Sequence, residues 1–176
     1  MRALDKNLTI VSEAERAALY GPPDFDDFQR AEYFALTAEE RTLVQSRVGL
    51  SEQISCIVQI GYFKAKQAFF KFRLADVPQE DIDFLMRRYF PDQTFRRGPV
   101  RQAEYYMQRK EILRLFGYRP WSQKFVPLLS ERAAQQVRRD VTPAFVLTEL
   151  MALLRQERIV RPGWGCKPKP PKIPSA

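Results

Sequence analysis

The sequence predicts an all-α protein: a compact multi-helix domain with a helix-turn-helix-like element in its second half. Three observations carry this. Residues that cap helices stand just before apolar-periodic stretches at Ser12, Thr37 and Ser51. Apolar residues return every third or fourth position, and strict alternation is hard to find. Glycine is scarce, with seven in 176 residues, so there is little of the turn chemistry that a sandwich or barrel needs.

Each element has its own signal. Residues 1–11 read as an irregular arm. Ser12-Glu13-Ala14-Glu15 is a capping box, and its helix stops at Gly21 before Pro22 and Pro23. A second helix is expected from about Asp24, with Phe25, Phe28 and Ala31 on one face. Thr37-Ala38-Glu39-Glu40 is another capping box, ending near Gly49. The stretch 50–73 is the expected centre of the fold. Gln53 to Phe63 carries no charge, Ile54, Ile57, Val58 and Gly61 share a face, and Ser51 is the expected cap. A mid-helix glycine costs about 1 kcal/mol relative to Ala, so Gly61 implies a close neighbouring backbone. Beyond it Lys64, Lys66, Lys71 and Arg73 interleave with Phe69, Phe70 and Phe72. This is either a core helix running into a solvated basic end or a surface that meets nucleic acid.

The next helix opens at Pro78, with Ile82, Leu85, Met86 and Tyr89 inward; Glu80, Asp81 and Asp83 read as charges favoured at a helix N-terminus. Residues 93–100 form a basic loop. A helix from Arg101 to Phe116 buries Tyr105, Ile112, Leu115 and Phe116 and ends at Gly117. Another runs from Ser122 to about Arg139, burying Phe125, Leu128, Leu129, Ala133 and Val137, with Pro127 delaying or bending its start. Thr142-Pro143 opens the last helix, carrying Phe145, Val146, Leu150, Leu153 and Leu154. The organisation expected is an N-terminal helical lobe (1–75), a basic helical lobe (76–163) and a disordered Pro/Lys tail (164–176).

Composition excludes several chemistries. There is no histidine, so no His base, His ligand or Ser-His pair can be assembled. The two cysteines, Cys56 and Cys166, lack metal-ligand spacing. No catalytic residue, metal site or cofactor is expected. No secretory leader or membrane span is expected either, so the expected setting is the reducing cytoplasm. Charge is lopsided. Residues 1–88 hold 12 Lys+Arg against 14 Asp+Glu, whereas residues 89–176 hold 17 against 7, a net of +10. Such a half-chain points to a polyanion, most simply double-stranded DNA.

The succession L-T-A-E-E-R, Q-I-G-Y-F, L-A-D-V-P, E-I-L-R-L-F-G-Y-R-P-W-S and I-V-R-P-G resembles the N-terminal region of replicative transposases of the Tn-three class. The resemblance runs from about Leu8 to Gly163, in blocks 25–47, 51–72, 75–89, 111–122 and 140–163. It implies a helical region that binds the terminal inverted repeats of a transposon in a bacterial nucleoid. It also implies that the three acidic metal ligands of phosphoryl transfer lie beyond residue 176, so that this chain is not itself an enzyme. The competing reading is a protein-interaction module or truncated regulator that pairs with a full-length transposase and interferes with it, or that associates with itself.

The residues expected to touch DNA follow from the helix-turn-helix reading. The helix pair joined through Gly117 and Tyr118 would put Ser122, Gln123 and Lys124 at the start of a recognition helix. Arg119 lies in the turn, Arg96 and Arg97 lie in the loop before the first helix, Arg101 opens that helix, and Arg138 and Arg139 end the second. The alternative is that Gly117 only ends a helix, with Tyr118 and Trp121 packed in the core.

Overall fold

The computed structural model describes residues 12–162. They form eight α-helices: α1 (Glu13–Tyr20), α2 (Asp27–Tyr33), α3 (Ala38–Gln45), α4 (Leu50–Lys66), α5 (Gln79–Tyr89), α6 (Gln102–Phe116), α7 (Val126–Val137) and α8 (Pro143–Gln156). Two 3₁₀ turns, Leu74–Asp76 and Gln123–Phe125, and one isolated parallel bridge between Arg119 and Ile159 complete the regular structure. The protein is all-α. The arm at 1–11, the tail at 164–176 and the Glu15 half of the first capping box lie outside the described residues and side chains.

Helix α4 is the axis. Ten consecutive residues from Ile54 to Phe63 are buried, because α2, α3 and α6 pack around it. Its cap is Gly49 rather than Ser51, and the Glu52 carboxylate occupies the space a Gly49 side chain would need. Gly61 is where α2 comes closest: a methyl group there would lie 2.4 Å from the Phe34 ring and 3.4 Å from the Tyr33 carbonyl. An aromatic side chain, more than a backbone, makes the close approach. Gln67 closes α4 in the left-handed region (φ 48°), which costs a non-glycine residue about 1 kcal/mol. Its amide offsets that by donating to the Lys64 carbonyl at 2.7 Å.

The main core draws on both sides of the expected boundary at residue 75, from Phe25 to Ile112 and Val160. A smaller cluster of Phe125, Leu154 and Ile159 sits under α7 and α8. The main partner of α7 is α8, not α6. Gly117 ends α6 in the left-handed region, the Tyr118 amide donates to the Leu113 carbonyl at 2.8 Å, and Tyr118 and Trp121 pack against the core. This is the simple helix end that the sequence left as the alternative.

Several faces differ from expectation. Helix α2 starts at Asp27, capped by Asp26. Phe25 therefore precedes it and Phe34 follows it, both buried, while Phe28 is 76% exposed. On α7, Gln136 is buried and Val137 is exposed, because the helix begins only at Val126. Asp81 does stand in the first turn of α5, as expected, but inside the protein. It is fully buried and accepts from Arg30 Nε at 2.7 Å, with its second oxygen unpartnered. Lys64 and Lys66 are not a solvated end. Lys64 pairs with buried Glu40 at 2.7 Å, and Lys66 donates to the carbonyls of Ala18 and Gly21, tying down the end of α1.

Candidate nucleic-acid interface

The expected DNA-contacting residues fall into three groups. The first is the loop entering α6. Arg96 and Arg101 are exposed, with side chains that bond to no described residue. Arg97 differs. One of its terminal nitrogens donates to the carbonyls of Leu74, Ala75 and Val77 at 2.8–2.9 Å, and the other donates to Gln79 Oε1 at 2.7 Å. It closes the 3₁₀ turn and fastens the loop to the start of α5.

The second group follows α6. Arg119 is bridged by backbone to Arg158 and Val160, and its guanidinium reaches the Glu157 carbonyl at 2.9 Å and stacks over Phe125. Ser122 caps a 3₁₀ turn that contains Gln123 and Lys124. These two side chains are exposed, but they stand on a 3₁₀ turn ahead of the α-helix rather than in its first α turn. The third group, Arg138 and Arg139, lies in the turn between α7 and α8, both exposed; Arg139 bonds Gln136 weakly at 3.4 Å. The 15 residues of α6 separate the first group from the second, roughly 22 Å at 1.5 Å per residue.

The structure also brings together residues that the sequence reading did not join. The extended segment after α4 alternates: Phe70 is buried, Lys71 exposed, Phe72 half-buried and Arg73 exposed. It runs beside the first turns of α6, with Phe72 and Tyr105 meeting edge to face at 5.5 Å. Between them lies a groove of about 340 Å³ lined by Lys71, Phe72, Arg73, Val100, Gln102, Tyr105, Tyr106 and Arg109. An adjoining cleft shares Arg73, Val100 and Tyr105 with it and extends to Arg97 and Gly98. Arg109 is half-buried. It donates to the Phe70 carbonyl at 2.7 Å and lies over the rings of Phe69 and Tyr106. Burial holds its pKa below the usual arginine value. Burial likewise raises the pKa of Tyr105. Arg73 forms a two-bond pair with Asp76, at 2.8 and 2.9 Å.

Beneath the groove, α4 and α6 are joined by buried polar groups. Gln108 is fully buried; it accepts from Ser55 and Gln59 and donates to the Glu52 carbonyl at 3.0 Å and Glu104 at 3.1 Å. Arg47 pairs with Glu104 at 3.2 Å and Glu111 at 2.9 Å. These bonds fix the rotation of α6 and therefore the face that carries Tyr105, Tyr106 and Arg109. The buried thiol of Cys56 has its pKa pushed up to about 12 by burial, which disfavours the reactive thiolate. No helix among the described residues is long and apolar enough to cross a membrane.

Fold and surface together define an all-helical domain with basic, partly aromatic clefts. The chain belongs to the family described as a domain of unknown function, DUF4158, whose model matches residues 10–166. No curated protein matches the chain.

Proposed function

We propose that this chain binds double-stranded DNA as the inverted-repeat-recognition module of a Tn-three-type transposase. The observation that carries the reading is electrostatic. Arg96, Arg101, Lys124 and Arg138 are exposed cations with no carboxylate partner among the described residues, on a half-chain with a net charge of +10. Cations left free on a strongly basic surface are what phosphate neutralisation requires. The order of sequence blocks that resembles transposase N-terminal regions supports the choice of DNA. In this reading Arg96, Arg101, Arg138 and Arg139 act on phosphates, and Gln123 and Lys124 act on base edges.

The test is a titration of the purified chain against inverted-repeat duplex and scrambled duplex. Specific binding to the repeat is the expected result. Gln123→Ala should cost about 1–3 kcal/mol on the repeat and little on scrambled DNA. An unchanged ratio removes the 3₁₀ turn as the reader.

A second reading has its own observation. Val137 and Val141 are exposed around the α7–α8 turn, and Val126 at the start of α7 is 40% exposed. That apolar surface suits association with a full-length transposase or a second copy. If the chain binds neither duplex but sediments as a dimer that Val137→Asp dissociates, association replaces DNA binding as the function.

A further inference from the structure

We propose that the groove between Lys71–Arg73 and the first turns of α6 takes an unpaired nucleotide, a single-stranded extension of the DNA that the proposed function assigns to this chain. The inference rests on that reading for the identity of the polymer and on three features of the groove for the rest.

Size comes first. A groove of about 340 Å³ is at the small-ligand end of binding cavities. It is comparable to one nucleotide and far too small to enclose a duplex. The lining comes second. Phe72, Tyr105 and Tyr106 offer ring faces and edges, and Lys71, Arg73 and Arg109 offer positive charge; no carboxylate lines the groove. Rings for a base and cations for its phosphate are the two elements of single-strand recognition. The third feature is an aromatic group left open. Tyr106 is 58% exposed. It is held in place from both sides, by Gln102, which donates to its hydroxyl at 3.3 Å, and by Arg109, 5.8 Å over its ring. An exposed but positioned ring beside a cation is a ready stacking platform, with the ring's open face available to a base. Lys71 is exposed and bonds to no described residue, so its ammonium is free for the phosphate.

Arg73 and Arg109 have narrower roles. Arg73 is already held by Asp76 and contributes the edge of the groove. Arg109, fixed by the Phe70 carbonyl, positions Tyr106.

The experiment measures binding of the full chain to a short oligothymidine, to a blunt duplex, and to the same duplex with a single-stranded overhang. Tyr106→Ala and Lys71→Ala are the variants, with thermal melting as the check on folding; both residues are exposed, so melting should be unchanged. Each variant should weaken the oligothymidine and the overhang advantage by about tenfold and leave blunt-duplex affinity as it was. Tyr106→Phe should restore most of the loss. The proposal is overturned if the chain ignores oligothymidine, if the overhang adds nothing, or if Tyr106→Ala changes blunt and single-stranded binding equally. Blunt-duplex binding without oligothymidine binding sinks the groove alone. Loss of blunt-duplex binding in the unaltered chain sinks the proposed function instead.

Discussion

Gly61 has no room for a methyl group. The nearest atoms are those of the Phe34 ring, which is fully buried and itself packed edge to face on Phe25 at 5.2 Å. The ring cannot swing into solvent, so Gly61→Ala forces α2 and α4 apart. The expected loss is about 1–3 kcal/mol, read as a lower denaturant midpoint with an unchanged slope. A midpoint equal to or above the parent's, as helix propensity alone would give, shows that the seam is slack. At Asp81 burial outweighs the Arg30 bond, so its pKa is raised, while the same bond raises Arg30. The sign follows directly. A carboxyl whose folded pKa lies above its unfolded value contributes stability below the unfolded pKa and loses it as pH rises through the folded one. Asp81→Asn does not titrate. Its stability relative to the parent should therefore increase with pH across that window and level off above it, whatever constant offset the altered Arg30 bond brings. A difference independent of pH, measured by denaturation from acid to neutral conditions, would mean that the carboxylate is adequately solvated by Arg30.

The elements were legible where a local signal was strong and unique. Thr37 with Glu40 fixed the start of α3, and the Ile82–Leu85 stripe fixed the inner face of α5. Helix α2 was ambiguous because Asp24 and Asp26 both make good caps. Choosing the later one puts Phe25 outside the helical period and turns Phe28 to solvent. The groove was not legible at all. Lys71 and Tyr106 are 35 positions apart, and each is unremarkable alone; only the α4–α6 seam around Gln108 brings them near. The basic loop was legible as basic but not in its division of labour, since nothing in Arg96-Arg97 says which guanidinium turns inward. The structure makes the two separable. Arg97→Ala leaves the Val77 carbonyl without its donor and the Leu74 carbonyl with only the long bond from the Val77 amide at 3.4 Å. It should cost about 2 kcal/mol of stability. Arg96→Ala should leave stability within about 0.5 kcal/mol of the parent and weaken repeat and scrambled DNA alike. Paired melting and binding measurements check this; equal melting losses from both changes would mean that the loop is not fastened through Arg97.

At the scale of the whole molecule, formal charge overstates what is free to act. Residues 89–176 carry 17 Lys+Arg, yet many of these side chains already serve the fold. Arg97, Arg109, Arg119, Arg155, Arg158 and Arg161 all donate to backbone carbonyls or to buried or bridging amides. The described cations of this half that bond to no other described group through a hydrogen bond or ion pair are Arg96, Arg101, Lys110, Arg114, Lys124, Arg132 and Arg138. Each phosphate neutralised contributes about 0.9 to the slope of log K against log salt. Among the described residues, full use of the free set therefore gives a slope of about 6, whereas all 14 described cations of this half would give about 13. The described residues are therefore expected to contribute a slope nearer the first figure than the second. Arg96→Ala, Arg101→Ala and Arg138→Ala should each lower it by roughly one. Arg155→Ala, whose guanidinium bonds Gln67 Oε1 at 3.1 Å, should leave it unchanged. The measurement is a titration of each variant at several salt concentrations on one duplex. A slope near the second figure, or an Arg155→Ala effect equal to that of Arg96→Ala, would mean that the fold's own hydrogen bonds do not ration its charge. No change in slope from any variant would leave the basic half a solvated surface and remove the physical basis for DNA binding.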